Sequence, residues 1–325
     1  MKQKTIYSLV GILLVIVAVV VGGSFYMVNY ALVNPQKNRE VKPQMDEARE
    51  QYPYLCSWLD SLQRCHALRD TIIVTPRGER QHAIFVRDPR AAGRTAVLVH
   101  GYHRMAVCML PIGSVYSRMG YNILLPDLHG HGQSDGDDIQ MGWKDLLDVM
   151  HWMKVAERMF RSPSGASRMV VHGVSMGAAT TMCVSGERQP AYVRCFVEDC
   201  GYTSVWDEFR HQLKDQFGLP PFPLLYTADG LCQLKYGWNF KEASPLRQVA
   251  KSQQPMLFIH GDKDTYVPFS MLKPLYDAKT RPVDQQGKVE KELWITSGTE
   301  HAESFKDYPE EYTRRVRAFV GKYMR

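Results

Sequence analysis

From about Asp70 to the C-terminus, short apolar runs alternate with longer stretches whose apolar residues recur every three or four positions. Thr71 to Val74 and Ala83 to Val86 lie either side of a turn at Pro76-Arg77-Gly78, and this predicts a strand pair. Further strand-like runs occupy Ala96 to Val99, Asn122 to Leu125, Met169 to Val171, Cys195 to Val197, Met256 to Ile259 and Leu293 to Ile295. The clearest helix between them runs from about Trp143 to Phe160, with Leu146, Leu147, Met150 and Met153 at helical spacing. Alternation of this kind predicts an α/β fold with a mostly parallel, doubly wound sheet covered by helices on both faces. One interval breaks the rhythm. Between Val197 and Met256 lies far more chain than a single crossover helix needs, rich in aromatics such as Trp206, Phe222, Trp238 and Phe240.

The pattern before Asp70 is different. Ile6 to Val28 is apolar with a few weakly polar interruptions, and about 20 apolar residues cross a bilayer. No small-x-small cleavage site closes the stretch, so it reads as a signal anchor rather than a removed signal peptide. Lys2 and Lys4 precede it, while Lys37, Arg39 and Lys42 follow; the short head favours a cytoplasmic N-terminus and an extracytoplasmic remainder. Residues 34 to 50 are polar, contain Pro35 and Pro43, and suit a tether. Tyr54 to Leu62 is expected to form a short amphipathic helix.

Composition narrows the class without naming a chemistry. The chain has 325 residues, 45% of them hydrophobic, enough for one full α/β core. Its net charge of +6 is spread along the sequence with no nucleic-acid motif, so the basic residues read as solvated surface. Seven cysteines show no C-x-x-C spacing. Cys56 and Cys65 would be roughly 13 Å apart on one straight helix, so a disulfide between them needs a break near Ser61 to Gln63.

Gly173-Val174-Ser175-Met176-Gly177 carries the chemical signal. It follows the apolar run Met169-Val170-Val171 and precedes the small-residue run Ala178-Ala179-Thr180. A serine lifted off a strand end by a strained turn needs Gly173 and Gly177 beside it, because a Cβ there would strike the neighbouring strand or helix. The same pattern recurs at Gly132-Gln133-Ser134-Asp135-Gly136, but polar loop surrounds Ser134 on both sides. Ser134 therefore reads as a loop residue.

A hydrolytic serine in such a turn needs a histidine and an acid, which follow it in the chain with the acid first. His301, after the run Glu292 to Ile295, lies beyond the acid candidate Asp264 in His260-Gly261-Asp262-Lys263-Asp264. Asp262, two residues away, and Asp199, at the end of the run Cys195 to Val197, remain alternatives for the acid.

With these residues in place the chain resembles the α/β-hydrolase superfamily from about Asp70 onward. It is similar to the bacterial membrane-anchored branch related to serine aminopeptidases and dienelactone hydrolases. The resemblance rests on Val97-Leu98-Val99-His100-Gly101-Tyr102, Pro126-Asp127-Leu128-His129-Gly130-His131-Gly132-Gln133-Ser134, the Ser175 turn, and the Asp264 and His301 loops. It implies a Ser175, His301, Asp264 triad, with Asp264 preferred over Asp262 by its spacing to Val267-Pro268. It also implies an oxyanion hole from the backbone amides of Tyr102 and Met176. His129 stands where many relatives carry arginine. The long interval falls where this fold inserts a cap, between the sixth and seventh strands.

The expected organisation is an anchor at 1–33, a tether and short helix at 34–69, and a catalytic domain at 70–325 with its cap at about 202–254. The expected function is hydrolysis of a small-molecule ester or other acyl substrate through an acyl-enzyme, without a cofactor. Peptidase, thioesterase and acyltransferase chemistry suit the same residues, as the fold does not set the substrate. A peptidase of the aminopeptidase type would need an acid for the substrate amine, and Asp207, Glu208, Asp215 and Asp229 are available. A non-catalytic membrane-tethered binding protein is the remote alternative. No nucleic-acid partner is expected, no protein partner is inferable, and the membrane is the one partner that the apolar N-terminal stretch implies. His100, His103, His129, His131, Asp127 and Asp135 are numerous enough to suggest zinc, but no metal-ligand spacing joins them.

Overall fold

The computed structural model describes residues 2–35, 37, 40–163, 167–282 and 287–325. Arg39, used in weighing membrane orientation, lies outside the described residues. Two compact units divide the chain: 1–33 with 204–244, and 34–203 with 245–325.

The larger unit is built on a sheet of eight strands among the described residues. In chain order they are β1 (Leu68–Val74), β2 (Arg80–Val86), β3 (Arg94–Val99), β4 (Asn122–Pro126), β5 (Arg168–Val174), β6 (Val193–Asp199), β7 (Met256–Gly261) and β8 (Lys291–Thr296). Their spatial order is β1-β2-β4-β3-β5-β6-β7-β8. β1 and β2 pair antiparallel, as do β2 and β4, while the rest are parallel. The central strands are buried along almost their whole length, which is why they read as continuous apolar runs rather than alternating ones.

Side-chain alternation sends one set of strand residues to each face. Ala96, Leu98, Ile123, Leu125, Val170 and Val197 join a core with residues from α2 (Val41–Gln51), α3 (Cys56–Arg64), α4 (Leu110–Arg118) and the long C-terminal helix. On the opposite side α5 (Asp145–Phe160) and α6 (Met176–Ser185) pack on the central strands. α5 begins two residues later than Trp143, because Met141 and Gly142 turn with positive φ and the Gly142 amide donates to Asp145 Oδ2 at 2.7 Å.

The described residues 41–50, expected to be part of a tether, pack into the core of the larger unit as part of α2. Asn34 Nδ2 donates to the Gly130 carbonyl at 3.0 Å, and α2 buries Met45 and Ala48. Pro43 fits within the first turn of α2, where backbone N–H groups have no intrahelical acceptor. α3 runs unbroken through Ser61 to Gln63, and Cys56 and Cys65 are unbonded.

In the smaller unit α1 (Lys2–Leu32) is joined by α7 (Val205–Phe217) and α8 (Leu224–Tyr236), which are inserted between β6 and β7. Its inserted part, 204–244, falls within the expected interval of about 202–254. α9 (Pro245–Val249) belongs to the larger unit, where Gln248 lies so close to Gly186 at the end of α6 that an added Cβ would sit 2.3 Å from its Oε1. Most aromatics of the insertion pack on one another: Phe209 meets Phe240 edge-on at 4.8 Å, and Trp206 meets Tyr226 at 4.9 Å. α10 (Leu272–Ala278), α11 (Ser304–Asp307) and α12 (Pro309–Tyr323) complete the larger unit.

Candidate active site

The sheet reverses its direction of growth at β3, which has β4 on one side and β5 on the other. Loops leaving the C-terminal ends of β3 and β5 therefore part there and leave a crevice. Ser175 sits in it, between β5 and α6, with φ 59° and ψ −121°. Few non-glycine residues tolerate that conformation, so the surroundings must impose it. They do so by contact. A Cβ on Gly173 would lie 2.0 Å from the Gly177 carbonyl oxygen, and one on Gly177 would lie 2.0 Å from the Val99 oxygen. The Ser175 amide donates to the Asp199 carbonyl at 2.8 Å, which ties the turn to β6. Gly101 comes so near from the β3 side that an added Cβ would be 3.3 Å from Ser175 Cβ, and this sets Tyr102 at the edge of the same turn.

The β7 and β8 loops bring the other two groups. Ser175 Oγ is 2.8 Å from His301 Nε2, and His301 Nδ1 is 2.7 Å from Asp264 Oδ2. An ionised carboxylate only accepts, so Nδ1 carries the proton and Nε2 is left to accept from the serine hydroxyl. Asp264 is buried, which by itself would raise its pKa. Hydrogen bonds from His260 and His301 and their charge outweigh this and hold the carboxyl below its ordinary range. Its Oδ1 accepts the amides of Tyr266 at 3.0 Å and Val267 at 2.9 Å.

Asp262 does different work: its Oδ1 accepts the Gly298 amide at 2.7 Å and so anchors the loop carrying His301. Asp199 is held by a different partner. Its Oδ2 accepts from the Tyr312 hydroxyl at 2.9 Å, and burial pushes its pKa up to about 6.

A profile of the prolyl oligopeptidase family matches residues 112–325, spanning the Ser175, Asp264 and His301 loops. The chain belongs to that family. It is an α/β-fold serine hydrolase. Protein YqkD of Bacillus subtilis is 28% identical over 232 residues, covering 71% of this hydrolase and 72% of the relative. The Pyrococcus furiosus esterase Pf2001 superposes with a TM-score of 0.63 at 23% identity, over 79% of this chain and 93% of its own. An acylaminoacyl peptidase of Pyrococcus horikoshii superposes with a TM-score of 0.55 at 16% identity, over 78% of this chain but 40% of its own. At these identities the two solved structures establish the fold.

Several residues that the sequence singled out hold the hydrolase's loops together. His100 Nε2 accepts the Leu128 amide at 3.0 Å, so Nδ1 carries the proton and donates to the Gly101 carbonyl at 2.8 Å. Asp127 accepts the amides of Ala106 and Gln133 and the imidazole of His82. Ser134, the serine of the second glycine-flanked pattern, donates to the Asp127 carbonyl at 2.7 Å. His172, beside the turn, is a buried neutral imidazole: Nε2 meets Tyr312 Oη at 2.9 Å, Nδ1 meets Tyr116 Oη at 3.0 Å, and burial lowers its pKa to about 3.

Among the described residues, two groups of side chains bring three potential metal ligands together: Cys200 with Asp264 and His301, and Glu79 with His129 and Asp148. In the second, Arg77 lies 3.2 Å from Glu79 and 2.7 Å from Asp148, so a guanidinium already occupies the position that a cation would take. Burial works against charge on His129, but the hydrogen bond and charge of Asp138 raise its pKa.

His260 was not assigned a role from the sequence. Its Nε2 lies 3.1 Å from Asp264 Oδ2 and 3.0 Å from the Val267 carbonyl. Its position four residues before Asp264 was visible, but the fold of the connecting loop was not.

Proposed function

We propose that this serine hydrolase cleaves carboxylic esters through an acyl-enzyme formed on Ser175. The observation that carries the reading is the continuous line from Ser175 Oγ through the His301 imidazole to Asp264 Oδ2, at 2.8 and 2.7 Å. His301 takes the serine proton as Oγ attacks the carbonyl carbon, and Asp264 holds the imidazole in the tautomer that leaves Nε2 free to do so. The backbone amides of Tyr102 and Met176 receive the oxyanion. His301 then returns the proton to the leaving alkoxide. Water, deprotonated by the same nitrogen, releases the acid and restores the serine. In this reading α1 anchors the enzyme in a membrane, supported by an 18-residue window of mean hydropathy 2.7 within its 30 residues Gln3–Leu32.

Peptide cleavage is the second reading, and membership of the prolyl oligopeptidase family favours it. Three of the four acids considered for a substrate amine are engaged elsewhere, which weighs toward esters, while Asp215 is exposed. Asp207 is engaged with Ser204 and Arg210, Glu208 accepts from Gln212, and Asp229 accepts the Phe240 amide and faces Lys241.

The test is kcat/KM of the full chain in detergent for p-nitrophenyl esters of increasing acyl length, beside aminoacyl p-nitroanilides, with Ser175→Ala as control. Serine-dependent ester turnover peaking at one chain length supports the proposal. Turnover of the anilides alone would replace it with the peptidase reading. Full ester activity in Ser175→Ala would remove Ser175 from the mechanism.

A further inference from the structure

α1 changes character along its length. Its first two thirds are exposed, whereas Ser24, Val28 and Leu32 are buried at i, i+4 spacing against the inserted helices of the same unit. The contacts are specific. An added Cβ on Gly23 would be 3.1 Å from Leu224 Cδ2, and Ser24 Oγ donates to the Leu224 carbonyl at 3.0 Å. Lys235 Nζ donates to Asn29 Oδ1 at 3.1 Å, and the Tyr30 hydroxyl donates to Gln216 Oε1 at 2.9 Å.

These contacts set a level. About 20 residues cross the hydrocarbon layer, so a span beginning at Ile6 ends near Phe25. Tyr26 and Tyr30, both exposed, then fall where amphipathic rings favour the interface. Leu224 sits beside Gly23 and Ser24, at the boundary itself, and Phe222 precedes it by two residues. Phe222 is 71% exposed and Leu234, next to Lys235, is 85% exposed. Outside α1 they are the two most exposed large apolar side chains among the described residues.

We propose that the 220–223 corner and the exposed side of α8, led by Phe222 and Leu234, dock into the interfacial layer of the bilayer that α1 crosses. The inference rests on reading α1 as a membrane span. Its second support is position: the segment is bonded to the part of α1 that leaves the hydrocarbon, so the lipid surface is the neighbour within reach. Charge bears on the lipid class. Residues 204–244 carry four Lys or Arg against five Asp or Glu, so apolar insertion rather than attraction to acidic headgroups holds the surface, and a neutral lipid suffices.

The test places p-benzoylphenylalanine at Val15, Phe222 or Leu234 of the full chain in phosphatidylcholine proteoliposomes, followed by irradiation and mass spectrometry. The expected result is phosphatidylcholine adducts at all three positions. An adduct at 15 with none at 222 and 234, or with chain-to-chain products there, overturns the docking while leaving the span intact. Absence of an adduct at 15 removes the span and the docking together. Because the readout is a covalent lipid adduct, neither outcome depends on which substrate the enzyme hydrolyses.

Discussion

Asp199 ends β6 and Asp264 lies in the loop that follows the neighbouring β7; they are almost equally hidden, at 2% and 4% exposure, yet their surroundings treat charge in opposite ways. Asp264 accepts from two imidazoles and two backbone amides, and its pKa is held down. Asp199 accepts from the Tyr312 phenol and the Ser304 side chain, and burial still carries its pKa up to about 6. Burial alone therefore does not set the behaviour of a carboxylate at this sheet edge. The number of donors that reach it does.

The comparison breaks most sharply by removing each charge in turn. Asp264→Asn is expected to lower kcat by roughly 10⁴, since the amide can hold His301 in the wrong tautomer, whereas Asp199→Asn should stay within about tenfold of the parent enzyme. Steady-state rates on one ester decide it, and the reverse ranking would move the acid to β6.

Stability against pH sharpens the same contrast. A carboxyl whose folded-state pKa is raised lends its stability below the ordinary carboxylate range and loses it as pH rises through the folded value. Between pH 4 and pH 7.5 the parent should therefore lose ~3 kcal/mol relative to Asp199→Asn, measured by urea unfolding of both proteins at each pH. Asp264 has the opposite sign: its contribution is full above the ordinary range and is lost as pH falls through the folded value.

His260→Ala removes one charged-group donor from Asp264. A bond of that kind is worth ~1.5–3 kcal/mol, so kcat should fall about 10- to 100-fold. His260→Gln, which keeps a nitrogen donor at similar reach, should recover most of the loss. Equal loss in both variants would mean that His260 only fills space.

The smallest change expected is Tyr312→Phe. It strips a donor from Asp199 and a partner from His172, costing ~1–2 kcal/mol in unfolding free energy with kcat nearly unchanged.

Local pattern carried a large share of this structure. The central strands are buried along almost their whole length, so their apolar runs stood out, and Ser175 declared itself because the glycines two positions either side are demanded by backbone contacts at 2.0 Å. The chain order of Ser175, Asp264 and His301 was equally legible, since it follows from the order of the strands bearing them. The packing of residues 41–50 was not. Their polar composition describes the outer side of α2, while the few residues that matter, Met45 and Ala48, gain meaning only from the core they enter.

Sequence alone determined the alternation of elements, the strained serine turn and the apolar N-terminal helix, because each depends on residues adjacent in the chain. Only the tertiary structure decided which aspartate meets His301, that His260 supports it, and that α1 lies along α8. Those facts depend on loops and helices separated by tens to hundreds of residues, and a local pattern holds no information on the direction in which a loop returns.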